Sequence, residues 1–203
     1  MRLSLTPLSF RQVLPSACGI LLLGAMLSVF QTSWQWFGVI SWAAIPYGIL
    51  LGVAFYFIGF AASCTRWTRT RSMSELLATL NQLFQNFTWP QIIMVSLLAG
   101  IGEEWLIRAV LQGFLVDSFG PVIGIIAASL IFGLLHFMTK TYVLLTFLLG
   151  SLFGIAFYLS NSLLLVMIAH AVYDIFAFAM IVKFPHVLGV NSSDGKTPII
   201  NSQ

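Results

Sequence analysis

Six ionisable side chains stand inside segments that are otherwise almost wholly apolar: Glu103, Glu104 and Arg108 in one, His136 in the next, and His170 and Asp174 in a third. Their types suit hydrolysis. A carboxylate beside imidazoles can take a proton from water, while an imidazole or a protonated acid stabilises the oxyanion of a tetrahedral intermediate. Glu103, His136, His170 and Asp174 are also an acceptable shell for zinc or another divalent metal, with one position left for water. Residue types alone leave both routes open, with a metal and with none. A serine or cysteine nucleophile is not indicated. No G-x-S-x-G occurs, and Cys18 and Cys64 have no histidine in their own segments and read as packing residues.

Helical spacing sorts the six. Glu104 and Arg108 are four apart, share a face and can form a buried ion pair. Glu103 is turned about 100° from Glu104, so its partners must be the histidines or Asp174. His170 and Asp174 are again four apart and can point at one spot, where His136 can join them from a neighbouring helix. A charge near the bilayer centre costs about 2.5–3.5 kcal/mol on insertion scales. Ser, Thr or Asn would join helices at lower desolvation cost, so the set reads as functional. Intramembrane acids also mark proton- and ion-coupled transporters, but the broken helices in two matching halves that such proteins often show are not evident here.

The elements that carry these residues follow from composition. The chain has 203 residues, 59% of them apolar, with nine Lys and Arg against six Asp and Glu, and a mean hydropathy of +0.98. Soluble domains carry roughly 25% charged residues, so a water-soluble globule is excluded. The net charge of +3 forms no basic stripe of the kind nucleic acids need. The reading is an all-α, polytopic membrane helical bundle of about six transmembrane helices, over 13–30, 37–63, 90–116, 119–138, 142–159 and 162–182. Connections at 31–36, 117–118, 139–141 and 160–161 are short enough to make successive spans antiparallel neighbours. Arg2, Arg11, Arg66, Arg69, Arg71, Lys140, Lys183 and Lys196 all fall on one side if both termini are cytoplasmic. The first run also has the form of a signal peptide, but no small-x-small cleavage pattern precedes Gln31.

Between the second and third spans, Met73, Leu76, Leu77, Leu80, Leu83, Phe84 and Phe87 recur at helical intervals. They describe an amphipathic helix on the cytoplasmic surface, opened by a Ser72/Glu75 capping box and serving as a connector or as a gate beside a lateral substrate entrance. Trp89 then reads as an interface anchor and Pro90 as a first-turn proline. Glycines four apart at 48/52, 120/124 and 150/154 read as close helix contacts. The organisation is two spans plus an interfacial helix over 1–89, a four-helix core over 90–182 and a cytoplasmic tail over 183–203. With these boundaries Glu103 and His170 lie about 18 Å into their spans and His136 only a few ångströms into its own. Their meeting calls for a later start to the third helix, a longer fourth one, or both.

Three motifs stand in order: Glu103-Glu104-x-x-x-Arg108, Phe132-x-x-x-His136 and His170-x-x-x-Asp174. Together they resemble the CPBP family, the CAAX prenyl endopeptidase and bacteriocin-processing or immunity membrane proteins also called Abi. The resemblance covers roughly the second half of the chain. It implies an intramembrane endopeptidase in the plasma membrane, a bacterial inner membrane, acting on a membrane-embedded or lipid-modified protein. It also implies that Glu103 activates a water shared with His136, and that His170 and position 174 stabilise the oxyanion. Position 174 is Asp where the eukaryotic and archaeal enzymes have Asn, so Asp174 must be protonated, paired with His170 or a metal ligand. Ala109 follows Arg108 where the family usually has Gly. A non-catalytic immunity or scaffold role on the same architecture is the alternative that the family offers.

Overall fold

The computed structural model describes residues 5–29, 38–63 and 70–190. Within them the order is α1 (Phe10–Ser28), α2 (Ala44–Ser63), α3 (Arg71–Phe84), α4 (Trp89–Glu104), a π-helical segment (Trp105–Gln112), α5 (Gly113–Phe119), α6 (Pro121–Leu135), α7 (Lys140–Ser160), α8 (Leu163–Lys183) and a 3₁₀ turn (Pro185–Leu188). No strand occurs among the described residues; Gly38 and Ser162 form an isolated bridge. α4, the π segment and α5 run on without interruption from 89 to 119. Leu22, Leu50, Ile58, Phe114, Val122 and Leu159 are exposed, whereas Glu104, Arg108, Gln112 and His170 are buried. Polar inside and apolar outside is the arrangement a helical membrane bundle requires. α1, α2, α7 and α8 are each long and apolar enough to cross a membrane, and α6, at fifteen residues, is shorter.

Local chemistry sets the ends. α1 and α4 open at capping boxes, with Ser9 N donating to Gln12 Oε1 at 2.8 Å and Thr88 N to Gln91 Oε1 at 3.0 Å. α2 starts at Ala44, later than position 37, which lies outside the described residues. Pro46 lacks an N–H and fits a helix best within its first turn, so the start falls just before it. The Asp117–Ser118 pair is helical rather than a connection. The chain reverses at Gly120, whose φ of 82° is a glycine conformation. Gly120 is therefore a turn residue with no helix pressed on it, unlike Gly124.

α8 runs through the middle of the bundle, against α2 and α4. A Cβ at Gly52 would stand 2.4 Å from the carbonyl oxygen of Ala169, and one at Gly100 would stand 2.7 Å from the amide of Ala171. These two close approaches flank His170 and fix its height. α1 lies on the other side of α4 and against the π segment, where Trp105 Nε1 donates to Ser28 Oγ at 2.7 Å. Cys18, in α1, is half-buried with a free thiol, and Cys64 lies outside the described residues.

α3 is amphipathic as read, but its cap differs. Thr70 is the N-cap, its hydroxyl accepting from Met73 N at 3.3 Å. Glu75 bonds Arg71 Nε at 2.9 Å instead of closing a box with Ser72. The helix ends at Phe84, short of Phe87. The depth problem is resolved in neither expected way: α4 starts at Trp89 and α6 stops at Leu135, before Met138. Below Glu103, α4 continues for about 21 Å, and below His170, α8 continues for about 20 Å. The α6–α7 junction therefore sits at the level of Glu103, and α3 occupies the step beneath it. There the Ser72 and Thr141 hydroxyls hydrogen-bond each other and Asn81 Nδ2 donates to Ile181 O at 2.7 Å. Phe84 packs on Phe87 and Phe178 with centroids 5.4 and 5.0 Å apart.

Candidate active site

Glu103 and Glu104 end α4, His136 caps α6, and His170 and Asp174 lie on consecutive turns of α8. The folded chain brings all five together. Glu104 and Arg108 are wholly buried and paired, with Arg108 Nε donating to Glu104 Oε2 at 2.9 Å. The second oxygen of Glu104 takes a partner that spacing did not suggest: it lies 2.9 Å from Nδ1 of His170. Two donors on one carboxylate offset the desolvation of a buried charge.

Each histidine thereby has one nitrogen committed. His136 Nδ1 lies 2.9 Å from Phe132 O, and a carbonyl only accepts, so Nδ1 carries a proton. His170 Nδ1 faces Glu104, and its ring stacks on Phe153 at 5.0 Å and 16°. Both Nε2 atoms are left facing Glu103: Oε2 is 3.7 Å from that of His136 and 3.9 Å from that of His170. Asp174 Oδ2 lies 3.6 Å from His170 Nε2. Glu103 thus meets the two histidines, as its rotation away from Glu104 required.

The π segment begins directly after the Glu pair, and nothing in the apolar periodicity marks it. Along this turn, closed by i→i+5 bonds, Glu104, Arg108 and Gln112 form one buried, hydrogen-bonded column. Arg108 Nη1 reaches Gln112 Oε1 at 3.4 Å, and Gln112 Nε2 donates to Gly154 O at 3.0 Å. The Arg108 guanidinium also sits 5.5 Å over the Phe132 ring. Its Nη2 is buried without a hydrogen bond. Gln112 is the site-supporting residue the motifs omit; a third polar residue at the same four-residue spacing was its signal.

A cavity of about 460 Å³ opens in front of these groups, lined on one wall by Glu103, His136, Tyr142, His170 and Asp174. Met73, Leu76, Leu77, Leu80 and Phe84 of α3 form the facing wall. For zinc, bonds of about 2.0–2.1 Å to tetrahedral ligands place donors roughly 3.3 Å apart. The separations here are wider, at 3.6, 3.7 and 3.9 Å. Among the described residues no group of three or more His, Cys, Asp or Glu is arranged to hold a metal ion. The zinc shell open at the level of residue types is not formed by this geometry.

A helical membrane bundle with a buried Glu, His and Asp centre is the class these features define. Residues 85–176 match the family model described as type II CAAX prenyl endopeptidase Rce1-like, a likeness in keeping with the family the three motifs resemble. Glu103 to Asp174 all fall within it. An uncharacterized protein, YpbD, of Bacillus subtilis (strain 168) is 34% identical over 109 residues, which is 52% of this chain and 53% of that protein. The chain thus aligns with about half the length of this curated relative. No solved structure matches.

Proposed function

We propose that the chain is an intramembrane endopeptidase that hydrolyses a peptide bond of a membrane-associated or lipid-modified protein. The observation that carries this reading is the convergence of two imidazole Nε2 atoms on Glu103 Oε2 at separations too long for direct hydrogen bonds and suited to a bridging water. Glu103 is the general base, and His136 accepts the second proton of that water and so aims its oxygen. Glu104 and Arg108 act as positioning residues, holding His170 and the α4 register. His170 and Asp174 form a pair on the far side of the water. The apolar cavity beside them takes the substrate's hydrophobic segment, with α3 as its cover.

The test compares the membrane proteomes of a deletion strain, the same strain carrying the wild-type gene, and one carrying Glu103→Gln. A precursor that accumulates in the first and third but not the second identifies the substrate. Processing of every membrane protein at the wild-type rate by Glu103→Gln would end the protease reading and leave the immunity or scaffold role. Cleavage by the purified protein is expected to persist in a strong chelator.

We also place the protein in the plasma membrane with six spans and both termini cytoplasmic, from the one-sided distribution of Lys and Arg. The Asn161 turn then faces outward. A single cysteine at 161 in an otherwise cysteine-free protein should react with an impermeant thiol reagent added to intact cells stripped of any outer barrier. Labelling only after the plasma membrane is breached overturns the orientation.

A further inference from the structure

Hydrolysis at this site creates a negative charge on the former carbonyl oxygen, and the wall around Glu103 is poor in donors to meet it. The protons on Nδ1 of His136 and His170 are turned away, toward Phe132 O and Glu104. His170 Nε2 makes no direct hydrogen bond but faces the carboxyl oxygens of Asp174 and Glu103 at 3.6 and 3.9 Å, whose charge competes with an oxyanion for any proton there. Asp174, standing where the eukaryotic and archaeal enzymes have an amide donor, presents a carboxyl group beside that imidazole. Thr146 Oγ1 is spent on the carbonyls of Tyr142 and Val143.

Tyr142 differs. It lies in the first turn of α7, where the Thr139 cap accepts its backbone N–H at 3.1 Å. Its ring lines the same cavity as Glu103 and Asp174 and stands edge-on to His136, with centroids 6.0 Å apart. The phenol lies within electrostatic reach of both Asp174 and Glu103. Its hydroxyl makes no hydrogen bond among the described residues. A half-buried phenol beside two acids, with its O–H uncommitted, is a donor held in reserve.

We infer that Tyr142 is a catalytic residue whose O–H donates to the oxyanion, supplying the donor that Asp174 does not. This rests on the proposed hydrolysis. The water oxygen bonds to the carbonyl carbon while the C=O π pair moves onto oxygen, and Glu103 takes the water's proton. Tyr142 keeps its own proton and hydrogen-bonds the O⁻. When the intermediate collapses, C=O re-forms, the C–N bond breaks with its electron pair going to nitrogen, and the proton on Glu103 passes to the leaving amine. No oxidant or further reactant enters. Losing one oxyanion donor costs about 10²–10³ in kcat in a well-studied hydrolase.

Tyr142→Phe retains the ring, its edge contact with His136 and the backbone cap. The experiment follows processing of the membrane proteome by pulse-chase in cells carrying wild type, Glu103→Gln or Tyr142→Phe. Any precursor that accumulates is then cleaved with purified protein to obtain kcat and KM. The expected result is a precursor in both variants, normal membrane abundance of Tyr142→Phe, and a kcat lowered about 10²–10³-fold at unchanged KM. A raised KM at unchanged kcat, or wild-type processing by Tyr142→Phe while Glu103→Gln is inactive, overturns the donor role and leaves the protease reading standing. Accumulation in neither variant overturns both.

Discussion

Replacing Arg108 with alanine is expected to deplete the protein from the membrane as well as to abolish its activity. The guanidinium is wholly buried and its Nε is 2.9 Å from an equally buried Glu104. Removing one member of a buried pair leaves an uncompensated charge, at a cost of about 3–5 kcal/mol, a large share of the roughly 5–15 kcal/mol that stabilises a typical folded protein. Lysine is not equivalent, because one ammonium cannot reproduce the separate Nε and Nη1 contacts to Glu104 and Gln112. Removing the charges together, as Glu104→Leu with Arg108→Met, is expected to restore abundance in part but not activity, since His170 Nδ1 then has no carboxylate to hold it. Immunoblots of membrane fractions and thermal denaturation in detergent read the first effect, and precursor processing reads the second. Arg108→Ala protein that accumulates normally and stays active would show that the pair holds nothing in place.

The second large effect concerns the proposed water-activating centre. Glu103→Ala, His136→Ala and the double variant should be about equally inactive, each losing some 10²–10⁴ in rate, the range for a general base. Groups that act on one water act as a unit, so the second loss adds little to the first. Glu103 and His136 side chains are 16% and 26% exposed and make no short bond to each other, so all three variants should insert and fold. Multiplicative losses in the double variant would mean that the two residues serve separate steps.

How far the site could be read in advance depended on what each residue answers to. Burial of charge in lipid is so costly that Glu103, Glu104, Arg108, His136, His170 and Asp174 were conspicuous by type alone, and four-residue spacing found the Glu104–Arg108 pair. The Glu104–His170 bond was not legible, because it depends on the relative height of α4 and α8, which Gly100 sets through its close contact with Ala171. The π segment was not legible either. Its extra residue per turn leaves no mark in a short apolar pattern, and the segment is packed among α1, α6 and α7. The expected depth conflict came from assuming that every apolar run crosses to the same level. α6 stops at Leu135, and the apolar 137–138 pair belongs to the cavity wall and not to a longer helix. The cap of α3 was misplaced because Thr70 and Ser72 both have capping chemistry, and only the Arg71–Glu75 pair shows which of them begins the helix.

The buried column of α4 and the π segment also has a consequence for how the protein is made. Ribosomes build chains from the amino terminus at about 5–20 residues per second. Glu104 is bonded to a histidine 66 residues downstream, so it is synthesised roughly 3–13 s before that partner exists. The carbonyl that receives Gln112, at Gly154, also comes later in the chain. Glu103, Glu104, Arg108 and Gln112 are therefore made before α7 and α8 can shelter them. Until then the segment is a poor candidate for release into lipid, and the insertion machinery has to retain it beside an aqueous or protein-lined path. The polar core that holds the site together at the end of folding makes the helix of residues 89–119 the slow passenger at its beginning.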